Sequence, residues 1–159
     1  MIIVIEGPDG SGKSTLAKKL GKKLGKKILH TGGQSSTPGE LIGRVKMIEA
    51  NPDCIVDRFP YLSEIIYRQH PLIINHKLLL SKWEDFKEKN NVYLIYCRTD
   101  LKVMYENISH EKKAHKPSEY LEEIKHRYTN IVDLYDQLSR TINFDITYDW
   151  QEDNLPCVD

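Results

Sequence analysis

The stretch IEGPDGSGKST, residues 5–15, decides how the rest of this 159-residue chain is read. It follows MIIVI, a short, β-branched and almost wholly apolar run of the kind that suits a strand covered on both faces. It opens an amphipathic helix in which Leu16, Leu20 and Leu24 recur at intervals of four, with Lys18, Lys19, Lys22, Lys23, Lys26 and Lys27 on the other sides. Gly7, Pro8, Asp9, Gly10, Ser11, Gly12, Lys13 and Ser14 satisfy G-x-x-x-x-G-K-[ST]. The glycines let successive backbone N–H groups turn inward around phosphate oxygens. The helix start aims its positive end at the same place. Lys13 is expected to reach the β- and γ-phosphates and Ser14 to offer its hydroxyl to Mg²⁺, with residues 7–15, Thr15 included, binding the nucleotide. Strand, loop and helix in that order make a nucleoside triphosphate, ATP, and Mg²⁺ the expected ligands.

Working outward, apolar runs recur at 26–30, 54–57, 92–97 and 144–149, separated by segments of helical period. Helices are expected over 39–50, 61–69 and 75–89, from about Asp100, and from Pro117-Ser118 onward. In the last, Tyr120, Leu121, Ile124, Tyr128, Ile131, Tyr135 and Leu138 form one stripe. Strands alternating with helices predict an α/β fold, a five-stranded parallel sheet with helices on both faces, in a single domain over 1–159. The polar, basic segment 109–118 is the candidate lid. Residues 150–159 read as a loosely held tail, with Trp150 as an anchor.

Lys plus Arg equals Asp plus Glu, 23 each, so no global field draws the chain to nucleic acid or membrane. The lysine-rich helix face is read as a solvated surface, because no aromatics interleave it. Three widely spaced cysteines form neither a zinc nor a redox motif and point to a reducing compartment. With no signal-like start and no long apolar run, a cytoplasmic protein is expected, without a membrane partner. Oligomeric state is left open, a homodimer included.

The acceptor side rests on fewer residues. Asp57 closes the run CIVD at the carboxyl end of a strand, where open parallel sheets bind ligands. It is expected to hold Mg²⁺ through water or to orient the acceptor. Arg58 can grip a phosphate with both arms of its fork. Asp9, a carboxylate among phosphates, is expected to face an acceptor sugar hydroxyl or a coordinated water. Arg98 ends VYLIYCR and is expected at the same edge. Arg68 is a further candidate cation. An acceptor that is already a phosphate needs cations and no base, whereas a hydroxyl acceptor needs a base, for which Asp57, Asp9 and Glu6 are available. His30 and His70 are placed near the acceptor cleft, with structural roles favoured.

With these residues placed, the chain resembles the thymidylate kinase group of P-loop nucleoside-monophosphate kinases, and in its compactness the phage-encoded members. IEGPDGSGKST is similar to that group's opening, with Asp9 as the loop acid. DRFPYLSEIIY resembles its segment of Asp-Arg, aromatic, Ser and Tyr, and GGQSSTPGEL its Gly-Gly-Thr-Pro-Gly-Glu region. The resemblance implies ATP- and Mg²⁺-dependent phosphorylation of a deoxynucleoside monophosphate, a dTMP-like pyrimidine first, with Tyr67 against the acceptor base. The chain departs from the group in carrying LHT where Arg-Glu-Pro precedes Gly-Gly. It has Gly10 where some members have an arginine, and Lys112, Lys113 and Lys116 without arginine in the lid candidate. A hydroxyl acceptor (a deoxynucleoside, or a hydroxymethyl pyrimidine in DNA) is the first alternative, with neutral charge against the DNA form. A nucleotide-binding switch is the second.

Overall fold

The computed structural model describes residues 1–32, 35–67, 75–113 and 118–158, the side chains of 109–113 and 118–126 excepted. Five strands, β1 (Ile2–Glu6), β2 (Lys27–His30), β3 (Cys54–Asp57), β4 (Val92–Cys97) and β5 (Ile146–Tyr148), form one sheet in the order β2-β3-β1-β4-β5. All four pairings are parallel. The helices are α1 (Lys13–Leu24), α2 (Pro38–Glu49), α3 (Pro60–Tyr67), α4 (His76–Lys89), α5 (Leu101–Lys113) and α6 (Ser118–Thr141). The expected elements are all present, the last strand being shorter than its apolar run.

Strand alternation sorts the core into two layers. Ile2 and Val4 of β1 face a layer built with α2, α3, α4 and α6, which includes Leu41, Leu62, Trp83 and Tyr135. Ile3 and Ile5 face α1 through Leu16, Ala17 and Leu20. Val158 is buried in that second layer with Leu155 packed on it, and Thr99 Oγ1 donates to Gln151 Oε1 at 2.9 Å. The chain after β5 is therefore tied into the core, contrary to the expected loose tail. Of the α6 stripe, Tyr128, Tyr135 and Leu138 are buried, while the side chains of Tyr120, Leu121 and Ile124 lie outside the described residues.

Local chemistry sets the helix starts. Thr37 caps α2 by accepting from the Glu40 N–H at 3.1 Å, Pro38 follows it, and the Glu40 carboxylate reaches back to the Ser36 N–H at 2.7 Å. Asn75 caps α4 through the Lys77 N–H at 3.0 Å. By contrast α1 starts after Gly12 in a left-handed conformation with no side-chain cap, so its first N–H groups are left for something else.

The register brings chemistry to one edge. His30 lies opposite Asp57, and Ile5 opposite Asp57, on neighbouring strands. The connection leaving β1 runs to β2 and that leaving β3 to β4, on opposite sides of β1. A crevice opens at the carboxyl end of such a switch point. Among the described residues no helix is long and apolar enough to cross a membrane.

Candidate functional site

A cleft of about 700 Å³ lies at that edge. Asp9, Gly10, Gly12, Lys13, Ser14 and Thr15 line its floor, His30, Gly32, Asp57 and Arg58 one wall, and Asn107, Tyr148 and Trp150 the other. Gly7, Gly10 and Gly12 all have positive φ, at 144°, 73° and 87°. Gly7 also has no room for a side chain, since a Cβ there would sit 2.3 Å from the Cys97 carbonyl oxygen. The loop thus exists in this shape only with glycine at these positions.

Lys13 is buried, and its ammonium folds back to donate to the Pro8 carbonyl at 2.5 Å. Burial lowers its pKa from 10.5 to about 8, with the Arg58 charge adding to the effect. The Ser11 hydroxyl, fully buried, makes no hydrogen bond to a described residue. Together with the uncapped start of α1, these donors and cations fit a phosphate chain. Ser14 Oγ donates to Asp57 Oδ2 at 2.9 Å, which fits a cation shared between hydroxyl and acid. Among the described residues no three His, Cys, Asp or Glu cluster to hold a metal alone. Mg²⁺ here would take the rest of its oxygen ligands from phosphates and water, as that ion commonly does.

Arg58 lines the cleft beside His30, Gly32 and Asp57. It is the non-glycine residue with positive φ, 67°, in the described chain. Several contacts fix that sparsely populated conformation. Its N–H donates to the Ile5 carbonyl at 3.0 Å, and its carbonyl accepts from Thr31 Oγ1 at 2.7 Å. Next to it Phe59 is wholly buried among Tyr61, Trp83 and Phe86, and the Phe59 N–H donates to Glu6. Gly32 leaves space for the Arg58 side chain, whose Cβ is 2.6 Å from where a Cβ at 32 would stand. The guanidinium pairs with Asp9 and lies over the Tyr67 ring, 4.8 Å from its centroid.

The structure therefore brings Lys13, Ser14, Asp9, Asp57 and Arg58 to one cleft. It turns other expected residues elsewhere. Arg98 is spent on α6: its Nε donates to Asp136 Oδ1 at 3.1 Å, beside the Tyr96 hydroxyl at 2.5 Å, and it does not line the cleft. Tyr67 supports Arg58 from beneath and is not part of the cleft wall. Glu6 is sealed off, with no exposed surface, accepting from Phe59 N–H and from the Tyr135 hydroxyl at 3.1 Å. Arg68, His70 and Lys116 lie outside the described residues, as do the side chains of Lys112 and Lys113. Gly32, His30, Asn107, Tyr148 and Trp150 also line the cleft, and the sequence reading named none of them as a site residue. His30 places Nδ1 3.2 Å from Asp57 Oδ2 with most of its ring exposed, a position its place at a strand end already signalled. Trp150 packs its indole against Gly12.

Glu6 carries a separate consequence. Burial raises its pKa from 4.5 to about 7, against the opposing pull of the Phe59 N–H, Arg58 and Lys13. The folded state thus holds this proton more tightly than the unfolded chain does. Stability is undiminished below the unfolded value near 4.5 and is lost as pH rises towards 7. Glu6→Gln, which keeps an acceptor for Phe59, should gain on the parent across that window, reaching roughly 3 kcal/mol at pH 8. Urea midpoints of both proteins from pH 5 to 8 measure this; parallel curves would contradict it.

No family model matches the sequence, and no curated protein matches it. Solved structures do. The chain is similar to the YorR protein of Bacillus subtilis in complex with phosphorylated GDP, with TM-score 0.71 and 23% identity over 96% of this chain and 87% of that one. It is similar to deoxyadenosine kinase from M. mycoides with bound dATP, with TM-score 0.61 and 20% identity over 96% and 93%. Shikimate kinase from Acinetobacter baumannii in complex with shikimate gives 0.64 and 13% over 97% and 85%. The parallel five-stranded sheet, the glycine loop at its switch point and these likenesses establish that the chain has the α/β fold of the P-loop kinases.

Proposed function

We propose that the chain is an ATP- and Mg²⁺-dependent phosphotransferase whose acceptor is a deoxynucleoside monophosphate, a pyrimidine such as dTMP first. The observation that carries this reading is how the acids are committed. Asp57 is held by the Ser14 hydroxyl on the cation side, Asp9 by Arg58, and Glu6 is sealed behind Phe59. A monophosphate arrives already ionised and asks for no base, only for cations that offset the repulsion between two anions. Lys13 would leave the Pro8 carbonyl for the donor phosphates. The N–H groups at the start of α1 would hold the same chain. Arg58, its backbone locked, would present its fork to the acceptor phosphate. Asp9 would face the acceptor sugar. Mg²⁺, held by Ser14 and through water by Asp57, would supply neutralising charge to the β- and γ-phosphate oxygens.

One observation favours a second reading. His30 beside Asp57, with its ring exposed at the cleft, is the arrangement a hydroxyl acceptor would need in a base. Two of the similar structures are named for acceptors that carry hydroxyls, deoxyadenosine and shikimate. An ADP-release screen with Mg-ATP across dNMPs, deoxynucleosides and hydroxymethylated DNA separates the readings. dTMP should stimulate release most, and His30→Ala should then change kcat by less than about threefold. Loss of about 10²-fold or more in His30→Ala, with a deoxynucleoside as best acceptor, would move the assignment to the hydroxyl reading. No stimulation by any acceptor would favour a nucleotide-binding switch.

A further inference from the structure

The phosphate grip uses the inner limb of the glycine loop, Gly12 to Ser14. The outer limb, Asp9 and Gly10, is held from a different direction. α5 and α6 share a small core of their own, Met104, Ile108, Tyr128 and Val132, with Leu101 and Tyr105 packed on it. The Tyr105 hydroxyl joins the two helices through Thr129 Oγ1 at 2.6 Å. From this pair of helices two side chains cross to consecutive loop carbonyls. Asn107 Nδ2 donates to the Gly10 carbonyl at 2.9 Å, and the Tyr128 hydroxyl donates to the Asp9 carbonyl.

The contact is close. A Cβ at Gly10 would lie 2.7 Å from the Met104 carbonyl and 3.2 Å from Ile108 Cγ1, at a φ of 73° that side chains rarely adopt. This is why glycine, and not a larger residue, stands at position 10. Burial keeps the Tyr128 hydroxyl protonated, so it remains a donor. The Tyr128 bond fixes the Asp9–Gly10 peptide on which Asp9 is mounted, the Asn107 bond fixes the next peptide, and the Asp9 carboxylate in turn pairs with Arg58. Losing either donor strands a loop carbonyl and lets its peptide tilt.

Resting on the reading of Asp9 as the acceptor-facing acid, we propose that Tyr128 and Asn107 are positioning residues. They clamp the Asp9–Gly10 limb from α5 and α6 and so set the Asp9–Arg58 pair against the acceptor, independently of the grip that Lys13 and α1 exert on the donor.

The test uses the full chain with Mg-ATP and dTMP, or with thymidine should the hydroxyl reading hold. Tyr128→Phe should raise the acceptor KM about tenfold while the ADP Kd by calorimetry stays within twofold. Asn107→Leu, of similar volume, should raise the acceptor KM likewise, and guards against a folding failure of either variant. Asp9→Asn should raise the same KM, and adding Tyr128→Phe to it should bring little further change, because both act through one group. If Asp9→Asn raises the acceptor KM and Tyr128→Phe does not, or if their effects multiply, the clamp is wrong and the placement of Asp9 survives. If Asp9→Asn leaves the acceptor KM unchanged, that placement fails and the clamp's role fails with it. Equal weakening of ADP and acceptor by Tyr128→Phe would reduce it to a structural bond.

Discussion

Lys13→Met should lower phosphoryl transfer by at least 10²–10³-fold, the usual consequence of removing a preorganised charge from a phosphate site. The same substitution should leave the ligand-free protein as stable as before, or more so. Lys13 is buried, and its ammonium donates to the Pro8 carbonyl. Burial lowers its pKa to about 8, so the buried charge is held at a cost. The sign follows from linkage. Between about pH 8 and 10.5 the unfolded chain binds this proton and the folded protein releases it, so parental stability should rise with pH across that window. Methionine keeps the stem and removes the ammonium, and Lys13→Met should lack that rise. Transfer assays and urea midpoints from pH 7 to 10 check both halves. Retained activity would remove the phosphate role. A large loss of stability at pH 7 would show that the lysine serves the fold.

That such a costly residue could be named from the sequence reflects how local its signal is. A glycine loop between an apolar strand and a helix of period 3.6 is written in consecutive residues, and each strand likewise announces itself in four to six positions. Asp57 and Arg58 were legible because they end such a strand. Other pairings depend on register across the sheet. His30 meets Asp57 because β2 and β3 are neighbours, and only the strand order makes them so. Arg98 was drawn to the cleft by its place at a strand end. Asp136, 38 residues further on, claims its guanidinium, and nothing in the local sequence records that partner. Glu6 read as an available acid because Phe59 and Tyr135, which close over it, come from β3's exit and from α6. The segment after β5 looked loose because its polar residues outnumber Leu155 and Val158, yet those two find the α1 face of the sheet.

Asp57→Asn is expected to cost roughly 10–100-fold in activity at limiting Mg²⁺, the range seen when a metal's outer carboxylate is neutralised. The fold should survive, because asparagine keeps the shape and can still accept from Ser14 Oγ, the 2.9 Å bond that ties β3 to the start of α1. What the mutant does as Mg²⁺ is raised distinguishes the two acceptor readings. If Asp57 works through the cation, the defect is one of occupancy, and excess Mg²⁺ should restore a large part of kcat with dTMP as acceptor. If Asp57 instead serves His30 as partner of a base, the loss should be larger, on the order of 10²–10⁴-fold, and no concentration of metal should recover it. The double variant sharpens the comparison. Two residues acting as one base are non-additive, so His30→Ala placed on Asp57→Asn would then add little. With a phosphate acceptor, His30→Ala should be nearly silent in the parent and in Asp57→Asn alike. A metal-insensitive defect in Asp57→Asn would therefore overturn the cation role of Asp57, and together with a deoxynucleoside as best acceptor it would overturn the monophosphate reading.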